Sequence, residues 1–223
     1  MEPRGYGLDS RPLTDVGKAS KRVQSPIILT KESNMIVDSV SDYHNKALRT
    51  LKEATNVKEL RLHAALGLSG ESAELLEVLE GGHDSIPAYL DKAVIELGDI
   101  MWYLPALCLS LHTTMEELAT RSTKLQYQMT AVNGLVIHSG KILDAVKKEY
   151  IYGKAIDRDS LLDHATMVFN HAIAVCPQLE TNIMTVLTKN IAKLAVRYPE
   201  KYSDDLAINK NEEAENAIAN NAA

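Results

Sequence analysis

The segment from Val94 to Leu107, V-I-E-L-G-D-I-M-W-Y-L-P-A-L, limits the fold more than any other. Apart from Glu96, Gly98, Asp99 and the Tyr103 hydroxyl, every side chain in it is apolar. At roughly 100° per residue those apolar groups surround a helix axis, so a helix here is stable only when other elements cover most of its sides. Glu96 and Asp99 are spaced to project from one arc, Tyr103 lies between them in angle, and Lys92 falls on the same arc. One narrow polar stripe therefore crosses a buried helix. Two ionised carboxylates on it cost several kcal/mol per ion unless something compensates them, on the order of the penalty for burying unpaired charge.

The preceding helix repeats the spacing. Glu71 and Glu74 stand in G-L-S-G-E-S-A-E-L-L-E, with Leu68, Ala73, Leu75, Leu76 and Leu79 around them. The linker through Gly81, Gly82 and Pro87 is short, so the two helices are expected to pack antiparallel as an αα-hairpin. With the stripes facing each other, four carboxylates converge, and hard oxygen ligands in that number suit Mg²⁺, with Mn²⁺ as its substitute. For Glu71 and Glu74 taken alone, a solvated helix surface is an equally open reading.

Composition agrees with helices. Apolar residues make up 45% of the 223, but aromatic residues only 5%, with one Trp and one Phe; strands favour aromatic and β-branched residues. Apolar spacing predicts helices over about 32–54, 57–80 and 88–111, with Pro105 expected to kink the third. Thr113-Thr114-Met115-Glu116 has the shape of a capping box opening a fourth helix, which nothing forces to break before Tyr152 and Gly153. Further helices are expected from Asp157 or Asp159 to Cys176, and from about Glu180 to Arg197. No strand pair or βαβ alternation is visible, so the fold class is all-α. Residues 1–30 read as an irregular arm and 203–223 as a disordered tail.

The net charge of −6 argues against a nucleic-acid groove or an anionic membrane as the main partner, since both need a basic surface. Met1 to Ser10 is polar with no apolar run behind it, so no signal peptide is expected. The longest apolar run, Ile100 to Leu111, falls short of the ~20 residues of a membrane span. A cytoplasmic protein with two free buried thiols, Cys108 and Cys176, is the expectation.

Glu71-x-x-Glu74, a spacer of some twenty residues and Glu96-x-x-Asp99 together resemble the signature of the MazG-like, all-α nucleoside triphosphate pyrophosphohydrolases. Tyr43 with Ala47-Leu48-Arg49-Thr50, Ala65-Leu66-Gly67-Leu68, and Glu96-Leu97-Gly98-Asp99 running into Trp102-Tyr103-Leu104 resemble that family's context, over roughly residues 35–128. The resemblance implies cleavage between the α and β phosphates of a nucleoside triphosphate, giving monophosphate and pyrophosphate. It implies that the four acids are catalytic and hold Mg²⁺, which polarises the α-phosphate, activates water and stabilises the leaving group. Glu74 or Glu71 would double as general base. Lys92 and Lys124 match family lysines that contact the triphosphate, and Tyr103 lies on the same stripe; Gln128 replaces an Arg common in the family.

The second half resembles a worn copy of the same pattern, dividing the chain into a catalytic repeat at 31–128 and a degenerate repeat at 129–202. Gly134-Leu135-Val136, Tyr152-Gly153, Asp157-Arg158, Leu161-Leu162 and Lys193 to Pro199 carry the match. His138 and Lys141 stand where Glu71 and Glu74 would be. Asp163 or His164 replaces the second-pair Glu, and Thr166 or Met167 its Asp, so this half is not expected to hold Mg²⁺. Its expected role is a built-in dimer partner, with Lys193 and Arg197 reaching the triphosphate at the live site; the opposing reading is that they are surface cations. The pseudo-dimers are expected to assemble further through faces carrying Val136 and Ile137. His63, roughly in angle with Glu74, is a candidate substrate contact, but a partly exposed helix histidine is the favoured reading; the spacings of His138, His164 and His171 are not those of a compact zinc site. Alternatives are a dimeric-type dUTPase, using similar acid pairs on the same bond, and a non-catalytic nucleotide-binding helical protein.

Overall fold

A computed structural model describes residues 35–81, 85–121 and 130–222. Among them are nine α-helices and no strand: α1 Val40–Leu48, α2 Val57–Glu80, α3 Ile86–Ser110, α4 Met115–Arg121, α5 Ala131–Tyr152, α6 Arg158–Val175, α7 Ile183–Arg197, α8 Asp204–Ile208 and α9 Glu212–Asn221. A 3-10 turn, Cys176–Leu179, follows α6. The fold is all-α, as the composition and spacing indicate.

Most helices begin at a polar cap that satisfies free backbone donors. The Asn56 side chain accepts from the amides of Lys58 and Glu59, Asp157 from Ser160 and Asn182 from Thr185. Gly153 ends α5 in the left-handed conformation, with φ of 67°, which glycine adopts without strain. Three expected boundaries are corrected. The first helix is shorter than 32–54: Ser39 caps its start, and Thr50 holds its end by donating to the Ala47 carbonyl and accepting from Trp102 Nε1 at 2.9 Å. The fourth helix is capped one residue later than expected, by Thr114 accepting from the Glu117 amide. It is not continuous with the fifth, which starts afresh with Thr130 accepting from the Asn133 amide; residues 122–129, including Lys124 and Gln128, lie outside the described residues.

The core lies around α3, which packs against α2, α7, α1 and α6. Leu97, Ile100, Met101, Leu104 and Leu107 are fully buried, and α3 continues unbroken through Pro105. This helix is long and apolar enough to cross a membrane by composition, but 72% of its most apolar stretch is covered by the rest of the chain. Both cysteines are buried free thiols.

The second hairpin, α5–α6, packs on the first mainly through α5 against α2. At that contact Ser72 Oγ lies 3.0 Å from Ser139 Oγ, both buried. Nearby, Arg61 of α2 donates from Nη1 to both Glu149 oxygens of α5, at 2.6 and 2.7 Å, and from Nη2 to the Ser110 carbonyl. Residues 203–223, expected as a disordered tail, carry α8 and α9 instead. Asn211 caps α9, and Ala219 and Glu215 are buried against α7. The compositional bias of this stretch hid its short amphipathic pattern.

Candidate metal centre

The α2–α3 hairpin brings Glu71 together with Glu96 and Asp99. Each offers a carboxylate oxygen, and these oxygens lie within 4.8 Å of one another. Glu71 comes from the helix that stops at Gly81, Glu96 and Asp99 from successive turns of the buried helix, so the facing of the two stripes is met by three of the four acids. Glu74 is exposed at the rim of the same cavity. The cavity measures about 700 Å³, and Lys92, Tyr103, Lys193 and Arg197 also line it.

The electrostatics of the three acids are those of a crowded, half-buried anionic site. Burial, then the charges of Asp99, Glu74 and Glu96, push Glu71 up to about 8 against the relief that Lys193 gives. Burial and Asp99 also raise Glu96. Like charges this close favour either protonation or a bound cation. Three hard oxygen donors facing an open cavity fit a Mg²⁺ or Mn²⁺ ion, which keeps several waters and needs only a few protein carboxylates.

Asp99 is held from outside the hairpin. Lys193 of α7, 4% exposed, donates to both of its oxygens, and Asn190 Nδ2 donates to Oδ1 at 3.1 Å. Asn190 in turn accepts from the Tyr43 hydroxyl at 2.8 Å, so α1, α7 and α3 fix one carboxylate. Gly98 permits this approach: a Cβ there would sit 3.1 Å from Asn190 Cβ. Tyr103 is seated the same way, since a Cβ on Gly67 would lie 2.2 Å from its ring. His63 does not line the cavity; it meets the Tyr103 ring edge-on at 5.5 Å and steadies it.

Arg197 lines the cavity but is engaged by α9: its Nε donates to Glu215 Oε1 at 2.9 Å, and Glu215 is 1% exposed. Glu212, Asn216, Asn220 and Lys210 complete that wall. The sequence does not reveal this wall, because α9 has the composition of a tail, and it does not single out Asn190, a polar residue on an otherwise ordinary helix. Lys92 is exposed at the rim. On the second hairpin, His138, His164 and His171 are brought together despite their spacing.

Searches against protein-family models, curated proteins and solved structures find no match to this chain.

Proposed function

We propose that this protein is a Mg²⁺-dependent nucleoside triphosphate pyrophosphohydrolase that cleaves between the α and β phosphates, as the resemblance to MazG-like enzymes implies. The observation that carries the reading is the convergence of Glu71, Glu96 and Asp99 on one side of a cavity whose other linings include Lys193, Arg197, Lys92 and Lys210. Acids alone repel a triphosphate; acids that hold a divalent cation, beside lysines and an arginine, attract one.

Glu71, Glu96 and Asp99 are the residues that would hold Mg²⁺, which when bound supplies Lewis-acid stabilisation of the charge on the reacting phosphates. Lys193, which pairs with Asp99, would turn to a phosphate oxygen of the bound triphosphate. Arg197 offers a planar fork for a second phosphate once Glu215 gives way. Glu74, outside the converging set, is the carboxylate free to accept a proton from the attacking water. Tyr103 closes the inner wall next to Glu71.

The same reading takes the chain as a pseudo-dimer of two hairpins. Three pairings support it. Ser72 meets Ser139, each one residue after Glu71 and His138, as an isologous contact puts like residues opposite each other. Gly67 accommodates the Tyr103 ring and Gly134 the His171 ring, each glycine four residues before Glu71 or His138. That correspondence favours His164 and Met167 as the counterparts of Glu96 and Asp99. Further assembly through the face of Ile137, which is 44% exposed, and a cytoplasmic location belong to the same reading.

The test is a panel of ribo- and deoxynucleoside triphosphates with Mg²⁺, with monophosphate and pyrophosphate quantified. Turnover should vanish in EDTA and fall on the order of 100-fold or more in Asp99→Asn or Glu96→Gln, at least the loss typical of disturbing a metal's ligand shell. Preference for dUTP over dCTP, dATP and dGTP would turn the reading to a dUTPase. One observation favours a non-catalytic binder: the Asp99 carboxylate is engaged by Lys193 and Asn190. Metal-dependent nucleotide binding without pyrophosphate release would establish that alternative.

A further inference from the structure

The C-terminal helix gives the acidic cavity a wall of a different chemistry from the rest. Along α9, Glu212, Asn216 and Asn220 recur every fourth residue, so they form one stripe, and all three line the cavity. Glu215 and Ala219 form the neighbouring stripe, buried at 1% exposure each against α7. Ile218, on the far side of the helix, borders a separate apolar groove with Ile191 and Val196. The orientation of α9 is thus set on three sides. On the cavity wall Glu212 pairs with Lys210 at 2.5 Å and Glu215 with Arg197, which leaves the two amides to face the cavity.

This wall is unsuited to phosphates. α9 carries three carboxylates, Glu212, Glu213 and Glu215, and neither Lys nor Arg, so its charge repels a polyphosphate. An uncharged group is not repelled. Each Asn side chain offers donors and acceptors on one plane, the pattern that matches the edge of a nucleobase. The cavity has apolar surface as well, from Ala88, Ile95 and Trp102, which a base can use and a phosphate cannot. Its volume of about 700 Å³ falls within the roughly 300–1,000 Å³ of sites that enclose a whole small molecule. The cations Lys193 and Lys92 lie on other elements, α7 and α3. The two ends of a nucleotide therefore meet different walls.

We propose that α9 is the base-recognising wall of the cavity. Asn216 and Asn220 hydrogen-bond the base of a nucleoside triphosphate whose phosphates lie toward Lys193 and the acids. The inference rests on the pyrophosphohydrolase reading and deepens it, because it makes a nucleotide, rather than a bare polyphosphate, the preferred ligand.

The test is calorimetry of the full chain in saturating Mg²⁺ with tripolyphosphate and with the non-cleavable α,β-imido analogues of dATP, dCTP, dGTP and dUTP. The native chain should bind at least one analogue roughly tenfold or more tighter than tripolyphosphate, the scale of one or two net hydrogen bonds. Asn216→Ala and Asn220→Ala should each weaken that analogue roughly 3–10-fold and leave tripolyphosphate unchanged. Alanine is the better helix former, so α9 is expected to persist in both variants, and their melting temperatures check it. Asn221, whose amide donates to the Ala217 carbonyl at 2.7 Å instead, gives the control Asn221→Ala, expected to bind as the native chain does. Equal affinity for tripolyphosphate and every analogue overturns the proposal, as does a loss common to both ligands or shared by the control. Mg²⁺-dependent binding that needs Asp99 but ignores Asn216 and Asn220 overturns the base wall alone and leaves the metal-triphosphate reading standing. Absence of any Mg²⁺-dependent binding overturns both.

Discussion

Glu71 is the residue in which packing and charge conflict most openly. Its carboxyl is raised from 4.5 to about 8, by burial first and by three neighbouring acids second. A carboxyl raised in the folded state binds more protons there than in the unfolded chain, so its contribution to stability is complete below about pH 4.5 and is lost as pH rises through about 8. The metal-free protein should therefore lose melting temperature across that window more steeply than Glu71→Gln, in which the titrating group is gone. Mg²⁺ should raise the melting temperature of the native chain most at the alkaline end, where it meets an ionised Glu71. Equal pH profiles for the two proteins would remove Glu71 from the crowded site. The acids were legible in the sequence because Glu96 and Asp99 sit in a segment with no polar face to share. Glu74 stands at the rim of the same cavity, outside the converging three, because spacing gives angle around an axis but not depth in the neighbouring groove.

Among the elements, α2 and α3 depend on a close approach at Gly67. Alanine is normally favoured over glycine in a helix by about 1 kcal/mol, but a Cβ here falls 2.2 Å from the Tyr103 ring, and overpacking costs about 1–3 kcal/mol. Gly67→Ala is expected to lower stability in the native background and to raise it by about 0.5–1 kcal/mol when Tyr103 is first changed to Ala. A double-mutant cycle by chemical denaturation reads that reversal; additive effects would mean that the ring is not what confines the glycine. The bounds of α2 were readable almost to the residue, because Asn56 and Gly81 flank an uninterrupted apolar pattern. α1 was overestimated, since its apolar spacing continues past the point where Thr50 turns the chain back. α9 was unreadable: three turns rich in Asn, Glu and Ala look alike whether docked or free, and what marks this one as docked is the pairing of Glu215 with Arg197 and the burial of Ala219 against α7.

On the scale of the whole molecule, the halves are joined through α2 and α5, where a buried ion pair lies beside the serine contact. Arg61 and Glu149 are each about one-tenth exposed in their side chains. Arg61→Ala would leave Glu149 as an uncompensated buried charge, at a cost of about 3–5 kcal/mol. For a chain of this size that corresponds to a fall in melting temperature of roughly 6–20 °C. Calorimetry should show one transition displaced as a unit; two transitions would mean that the hairpins fold independently. The joined halves also bring α7 across to Asp99, so the acidic centre and its lysine come from sequence-distant segments and exist only in the folded chain. Anomalous diffraction from a crystal grown with Mn²⁺ tests that arrangement most directly. The account predicts a peak bridging the carboxylates of Glu71, Glu96 and Asp99, with Lys193 turned from Asp99 toward the cavity. It is contradicted if no manganese lies among those oxygens and Lys193 keeps Asp99.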